Sequence, residues 1–425
     1  MQDRIIRIGN ILLLILCLCM PFHSFFFSLF QAKPLVLWRD ALICMLVIFL
    51  IVGKRFFIRE SKEAIVIACS LILCAIHAFL FHDADMSMVL WGNSLRIYLI
   101  PFLAFFIGRF WIVEKKYYET IKQIYVYSAV IISVWGIFQM FFLGQDFLNE
   151  IGYGISSAVL ADGFQRNVGI FSSANLMGVF LDFALLILLY SKTEVKFRTG
   201  LILFLFFSLL LTLSTSAIAG MFCAVVYKEV KENAFDNPKL MVKKLTKGLG
   251  ILVIIVLVFY ILDLIVLKGV LFEKIGIRIN ELIGAFINSE GRNTSASIHL
   301  QDLINSIQVV KEKPFGVGFS TSSFILLGRV DRVLLTYAVE SSVFTIFFDF
   351  GIIIGCVYLF TFIYPIITGI LKKNRKRNQI SDLMAIQLLI LYVLLPLVSS
   401  IELRFFFFLF AGLEEQFLHR DMMMA

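Results

Sequence analysis

Apolar runs long enough to cross a bilayer succeed one another from one end of this sequence to the other. They lie near 8–30, 35–52, 64–81, 95–113, 123–143, 168–190, 199–227, 249–267, 341–370 and 383–411. A membrane-spanning helix takes about 20 predominantly apolar residues, and few charges interrupt these runs. Of the 425 residues, 60% are apolar and 16% charged, and mean hydropathy is +0.92. A water-soluble domain carries about 45–50% apolar and about 25% charged residues. This chain lacks the polar surface to clothe a soluble protein of its size, which excludes a cytosolic enzyme, a secreted domain and a disordered chain. The 46 Phe are spread along the runs, so no single greasy tail skews the average. The expected fold class is an all-α polytopic membrane protein.

Charge decides the ambiguous run, 199–227, which can form one long helix or two short ones meeting at Ser214-Thr215-Ser216. Short cytoplasmic loops collect Lys and Arg. With a cytoplasmic N-terminus and two helices, the short inside segments hold 25 Lys and Arg and the outside ones 5: Lys33, Arg39, Arg96, Arg166 and Arg404. With one helix the same segments give 14 inside against 16 outside. Two helices are therefore expected, each of about 15 residues, a length met by tilt or local thinning. Splitting 383–411 at Ser399–Arg404 brings the expectation to about twelve spans, with both termini cytoplasmic. The net charge of +8 is then topogenic rather than a sign of nucleic acid. Arg4 and Arg7 before the run from Ile11 resemble a signal peptide, but similar segments follow and no small-x-small cleavage site stands out, so the first run reads as a span. The seven Cys all lie within apolar runs, which gives neither a disulfide framework nor a metal-ligand spacing.

The topology divides the chain into an N-terminal bundle (1–267), an extracytoplasmic loop (268–340) and C-terminal membrane helices (341–425), forming one integral unit. The loop carries eight Lys and Arg. Long loops escape the positive-inside rule, but cations outside still call for a reason, and an anionic ligand is one. Residues 270–287 mix apolar and charged residues as a helix lying in the membrane interface does. Leu300, Leu303, Ile304, Ile307 and Val310 share one helical face, opposite Gln301, Asp302, Asn305, Gln308 and Glu312. Ser297 suits the N-cap, Pro314 stops the helix and Gly316-Val317-Gly318 makes the turn.

Four motifs carry candidate chemistry. Arg166-Asn167-Val168-Gly169-Ile170-Phe171 with Asn175 and Gly178 opens the sixth span. A guanidinium there can fork onto phosphate or carboxylate oxygens, or snorkel to lipid headgroups. Leu211-Thr212-Leu213-Ser214-Thr215-Ser216 offers hydroxyls to satisfy backbone at a helix break in the bilayer. The helix 298–313 runs into Lys313-Pro314-Phe315-Gly316-Val317-Gly318-Phe319; its Gly-x-Gly has no preceding strand, so turn geometry accounts for it better than a phosphate loop. Val339-Glu340-Ser341-Ser342 opens the helix bearing Gly351 and Gly355. Glu340 can act as a general base, or simply as an acid at a helix N-terminus.

In this order and spacing the four motifs resemble the bacterial O-antigen polymerase and ligase superfamily, the Wzy-like polysaccharide polymerases and WaaL-like ligases. The resemblance covers about 166–355, with helix count and loop placement agreeing elsewhere. It departs from the family pattern at Ala174 (usually Pro), Thr215 (usually Arg) and His299, where an Arg usually starts the loop helix. Glu340 stands where ligases usually show His, which points to the polymerase.

The resemblance implies a metal-independent glycosyltransferase of the bacterial cytoplasmic membrane, with its active site facing outside and no cofactor. It would join oligosaccharide repeat units carried on undecaprenyl diphosphate into an O-antigen, capsule or exopolysaccharide. Membrane lipids, a chain-length regulator and a flippase would be its partners, and nucleic acid would not. The leaving group is a lipid diphosphate, and cations fixed near it stabilise the transition state. Arg166, Arg278 and Arg292 are the candidates, with Arg329 and Arg332 behind them and Asn175 as a further binding residue. Glu340 and His299 are the candidate bases. The rivals are a ligase acting on another acceptor and a lipid-linked oligosaccharide flippase, which would show internal repeats and mid-membrane charges.

Overall fold

The computed structural model describes residues 2–23, 25–26, 37–53, 61–81, 88–111, 114–144, 147, 150, 165–233, 238–266, 268–270, 272–277, 280, 295–316, 318–319, 341–371 and 380–424. Among these residues the chain is helical and contains no sheet. The helices are α1 (Gln2–Cys19), α2 (Trp38–Val52), α3 (Lys62–Leu80), α4 (Met88–Phe110), α5 (Lys115–Phe138) and α6 (Ala174–Tyr190). They continue with α7 (Arg198–Leu211), α8 (Thr215–Asn233), α9 (Pro238–Val266), α10 (Ser295–Glu312), α11 (Ser342–Leu371), α12 (Ile380–Leu394) and α13 (Ile401–Met424).

Among the described residues, four helical stretches are long and apolar enough to cross a membrane: Lys62–Leu80, Trp91–Phe110, Lys115–Leu143 and Ser342–Tyr364. Shorter apolar helices accompany them, including Ala174–Tyr190, Arg198–Leu211 and Ile380–Leu394. Their outward sides carry bare Ile, Leu and Phe, such as Ile72, Phe79, Ile131 and Ile353, as a bilayer allows and water does not. The chain is an all-α membrane protein.

The bundle is built around α6 and the pair α4–α13. Apolar residues line α6 on every side and nearly all are buried, the mark of a helix enclosed by others. Helices α4 and α13 run parallel in the most extensive packing of the molecule. Gly108 and Gly412 meet at their crossing, where a Cβ on Gly412 would stand 2.2 Å from the Phe105 carbonyl oxygen. Small residues let helix backbones approach in this way where lipid supplies no hydrophobic drive. Since α13 and α12 also pack on α4, α8 and α6, the helices after residue 341 complete the N-terminal bundle.

The run 199–227 is two helices, but the break lies at Thr212-Leu213-Ser214, with Leu213 at φ +49°. Thr215 and Ser216 already belong to α8. The split in 383–411 falls at 395–400, earlier than expected, so Arg404 lies inside α13 and is fully buried. Helix α10 begins at Ser295, ahead of the expected Ser297 cap. Its apolar face also departs from expectation: Val310 packs on Phe344, Phe347 and Phe348 of α11, while Ile304 and Ile307 are exposed.

A third break has no counterpart in the sequence reading. Gly351 (φ +70°) interrupts α11. The strap following α10 enters that break, and the Ile352 N–H donates to the Pro314 carbonyl at 2.8 Å. A Cβ on Gly351 would lie 2.5 Å from the Phe315 carbonyl carbon, so both the positive φ and the space require glycine. Phe319 then anchors the strap. Its ring is fully buried against Trp91, Tyr98 and Phe350, and its N–H donates to Phe81 O at 2.9 Å.

Candidate functional site

The first two sequence motifs close on each other. Asn167 is the keystone. Its N–H donates to Leu211 O (2.9 Å), its Nδ2 to Ser208 Oγ (2.8 Å), and its Oδ1 accepts from the Gly169 N–H (3.1 Å). This side chain is wholly buried, and pairing its polar atoms removes the cost of burying them. Gly136 of α5 makes room for it, since a Cβ there would fall 2.0 Å from Asn167 Oδ1.

Pinned in this way, the segment 166–173 turns into α6, whose first turn is capped by Ser173 Oγ accepting from the Leu176 N–H at 3.2 Å. Ser214 caps α8 in the same manner, accepting from the Ala217 N–H at 3.3 Å. The two helix starts are drawn together at Gly178, where a Cβ would lie 2.8 Å from the Ala217 Cβ. Both helix dipoles therefore present their positive ends in one place.

Arg166 lies half-buried over this junction. Its Nε donates to Thr212 O at 2.7 Å and its Nη2 to Asn175 Oδ1 at 3.3 Å. The same Asn175 oxygen accepts from Ser214 Oγ at 2.9 Å. These contacts fix the direction of the guanidinium. Chemically, an oriented cation beside two helix N-termini favours a phosphate or carboxylate.

The junction shares one end of the bundle with the start of α11. A Cβ on Gly220 of α8 would meet Gln387 and Leu391 of α12 at 3.1 Å. At the end of α12, Leu395 O accepts from the Ser342 N–H at 3.0 Å. Helices α8 and α12 are antiparallel, so the start of α8, the end of α12 and the start of α11 lie together. Glu340 itself lies outside the described residues, as do Arg278, Arg292, Arg329 and Arg332. His299 is on α10, and its side chain is also outside them. Among the expected site residues, the structure brings Arg166 and Asn175 together and joins to them Thr212, Ser214 and Asn167.

Two further polar constructions occupy the same end. Arg39, Asp40, Arg96 and Glu402 form a buried quartet between α2, α4 and α13. Arg39 Nη1 donates to Glu402 Oε1 at 2.5 Å and Arg96 Nη1 to Asp40 Oδ2 at 3.1 Å. Beside it, Trp38 Nε1 donates to His23 Nδ1 at 2.9 Å. Arg404 donates to the carbonyls of Ser400, Val398 and Ile97 and, at 2.6 Å, to the Tyr358 hydroxyl. The Tyr98 hydroxyl donates to Asp349 Oδ2 at 2.6 Å in the same neighbourhood.

Arg39, Arg96 and Arg404 were placed by charge counting in short outer segments; the structure sets them in α2, α4 and α13, where they pack into the bundle. Partners distant in sequence, such as Glu402 for Arg39, are what make that burial tolerable. Asp349 is an ionisable residue inside an apolar run that the sequence reading passed over. The signal was there, since a carboxylate in a membrane helix needs a named partner. Among the described residues no group of His, Cys, Asp and Glu could hold a metal ion.

No protein-family model matches this chain, and no curated protein matches it either.

Proposed function

We propose that this chain is a membrane glycosyltransferase that polymerises oligosaccharide repeat units carried on undecaprenyl diphosphate. In this reading about twelve helices span the bacterial cytoplasmic membrane, both termini are cytoplasmic and residues 268–340 face outside. Arg166, oriented by Asn175 and Thr212, holds the lipid diphosphate and stabilises the charge that grows on it as the glycosidic bond breaks. Arg278 and Arg292 of the outer loop add further positive charge. Glu340 accepts the proton of the attacking sugar hydroxyl, and His299 is the second candidate for that task.

The observation that carries the reading is the closure of two separated motifs around Arg166. The Arg166–Thr212 contact joins positions 46 apart in sequence. What it makes is an oriented guanidinium beside two helix starts, at the same end of the bundle as the start of α11. The ordered motifs that resemble the polymerase family support the same reaction.

The test is an assay with purified protein in vesicles and a lipid-diphosphate repeat unit as both donor and acceptor. The expected product is a ladder of lengthening glycan. Glu340→Gln should slow it by about 10²–10⁴-fold, the usual worth of a general base. A single transfer onto a different acceptor would make the chain a ligase, and movement of the lipid-linked unit across the bilayer without a new glycosidic bond would make it a flippase.

A further inference from the structure

The helix α10 has three faces, and among the described residues only two of them meet protein partners. Ser306 and Val310 are buried, Val310 against Phe344, Phe347 and Phe348 of α11. On a second side, Gln301 Nε2 donates to Asn305 Oδ1 and Gln308 Nε2 to Glu312 Oε1, both pairs exposed. The third face is apolar and bare. Ile304 is 51% exposed, Ile307 40% and Phe315, just past the helix, 70%. Lys311, also exposed, falls on the same stripe, because steps of three and four residues return to one side of a helix.

The position of this stripe is fixed by the strap. Phe315 passes through the Gly351 break, with Ile352 bonded to Pro314. Ile352 and Ile353 are exposed on α11, inside the candidate span Ser342–Tyr364. The bare stripe of α10 is therefore continuous, through Phe315, with the lipid-facing side of a spanning helix. A water-facing stripe would have no reason to join that surface. A membrane-surface stripe is expected to be apolar with a cation at its edge, the Lys ammonium reaching the headgroup phosphates while its stem lies along the acyl boundary.

We propose that α10 is a membrane-surface helix whose Ile304–Ile307–Lys311–Phe315 stripe lies in the interfacial layer of the bilayer that the bundle spans. Its occupant is phospholipid: acyl chain against Ile304, Ile307 and Phe315, headgroup phosphate against Lys311. The helix is then held at a fixed depth, clamped by the α11 break on one side and by lipid on the other. This inference depends on the membrane architecture and not on the reaction proposed above.

The test uses the full chain in nanodiscs holding one copy each, made from ordinary lipid or from the same lipid brominated along its acyl chains. Bromine quenches Trp only at contact range. Three variants each add one Trp to the four of the wild type: Ile304→Trp, Ile307→Trp and, from the polar face, Glu312→Trp. The emission of each added Trp is the variant spectrum minus the wild-type spectrum. All three positions are exposed, so the fold should tolerate them, and unchanged thermal midpoints check this.

The expected result is blue-shifted added emission at 304 and 307 that falls severalfold in brominated lipid, and unquenched added emission at 312. Unquenched emission at both Ile positions would overturn the proposal, whether water or protein covers the stripe. Equal quenching at 312 would also overturn it, since the helix would then be immersed without a preferred face. The readout contains no enzymatic step, so loss of the glycosyltransferase reading leaves it standing, and the converse holds.

Discussion

The Arg39 quartet and the Arg166 junction are both built from arginine at the same end of the bundle, yet they answer opposite requirements. In the quartet two guanidinium groups meet two carboxylates, with Arg39 touching both Glu402 and Asp40. Two cations are matched by two carboxylates inside the cluster. At the junction, Arg166 meets carbonyl and amide oxygens in the contacts that hold it. Those bonds fix its direction. The contrast is that a carboxylate of another helix holds Arg39, whereas a carbonyl and an amide oxygen orient Arg166.

The largest effect should come from breaking the clamp. Arg39→Ala strands Glu402 and one side of Asp40 in a buried site, and an unpaired buried charge costs about 3–5 kcal/mol. Folded protein recovered from the membrane should fall steeply, seen as loss of the monodisperse peak and a lowered thermal midpoint. Replacing Arg39 by Met and Glu402 by Leu together should recover much of that loss, because paired removal leaves no stranded charge. A double variant as unstable as the single one would show that the quartet is not a matched pair.

The junction should respond in the opposite way. Arg166→Ala should leave the thermal midpoint nearly unchanged while removing one charge-assisted contact to an anionic substrate. Such a contact is worth about 1.5–3 kcal/mol, or roughly 10–150-fold in polymer formation. Lys should restore part of it, since it supplies the charge but not the fork. An Ala variant that elongates glycan at the wild-type rate would move Arg166 into the class of Arg39.

Gly136→Ala sharpens the same contrast from the supporting side. Its Cβ would collide with Asn167 Oδ1, and overpacking of this kind costs about 1–3 kcal/mol. Stability and activity should fall together here, whereas Arg166→Ala separates them. A stable, active Gly136→Ala would mean that Asn167 does not hold the turn.

The all-helical, membrane-embedded character was readable from the chain because a bilayer demands long apolar runs. The extra break near 212–214 followed from charge counting alone, although its register was two residues off. The reason is physical: Thr215 and Ser216 resemble turn residues, yet Ser214 serves as a cap and the helix continues through both. The junction was half legible. Arg166 and Asn175 stood out by type, but Asn167, which holds the turn, is marked only by contacts with Ser208 and Leu211 on another helix. The quartet was illegible for the same reason, because Arg39 reads as an interfacial cation until Glu402 is brought beside it. Gly351 was read as part of a glycine-spaced helix; only the strap lying in its break shows why a glycine is required.

The smallest effect belongs to Ser214, which serves both helix and junction with one hydroxyl. Its oxygen accepts from the Ala217 N–H and donates to Asn175 Oδ1. Ser214→Ala removes the cap, a loss of about 0.5–2 kcal/mol, and leaves the Asn175 oxygen to Arg166 alone. The thermal midpoint should drop by a few degrees and elongation by only a few fold, because Arg166 keeps its bond to Thr212. Ser214→Asp should separate the two roles. A carboxylate caps a helix start as well as a hydroxyl does, so stability should be kept. The same carboxylate stands beside Asn175 and within reach of Arg166, where it would occupy the guanidinium and repel an anionic substrate. An Asp variant that is stable and elongates normally would mean that no anion is bound at this junction, and the comparison with the quartet would then rest on stability alone.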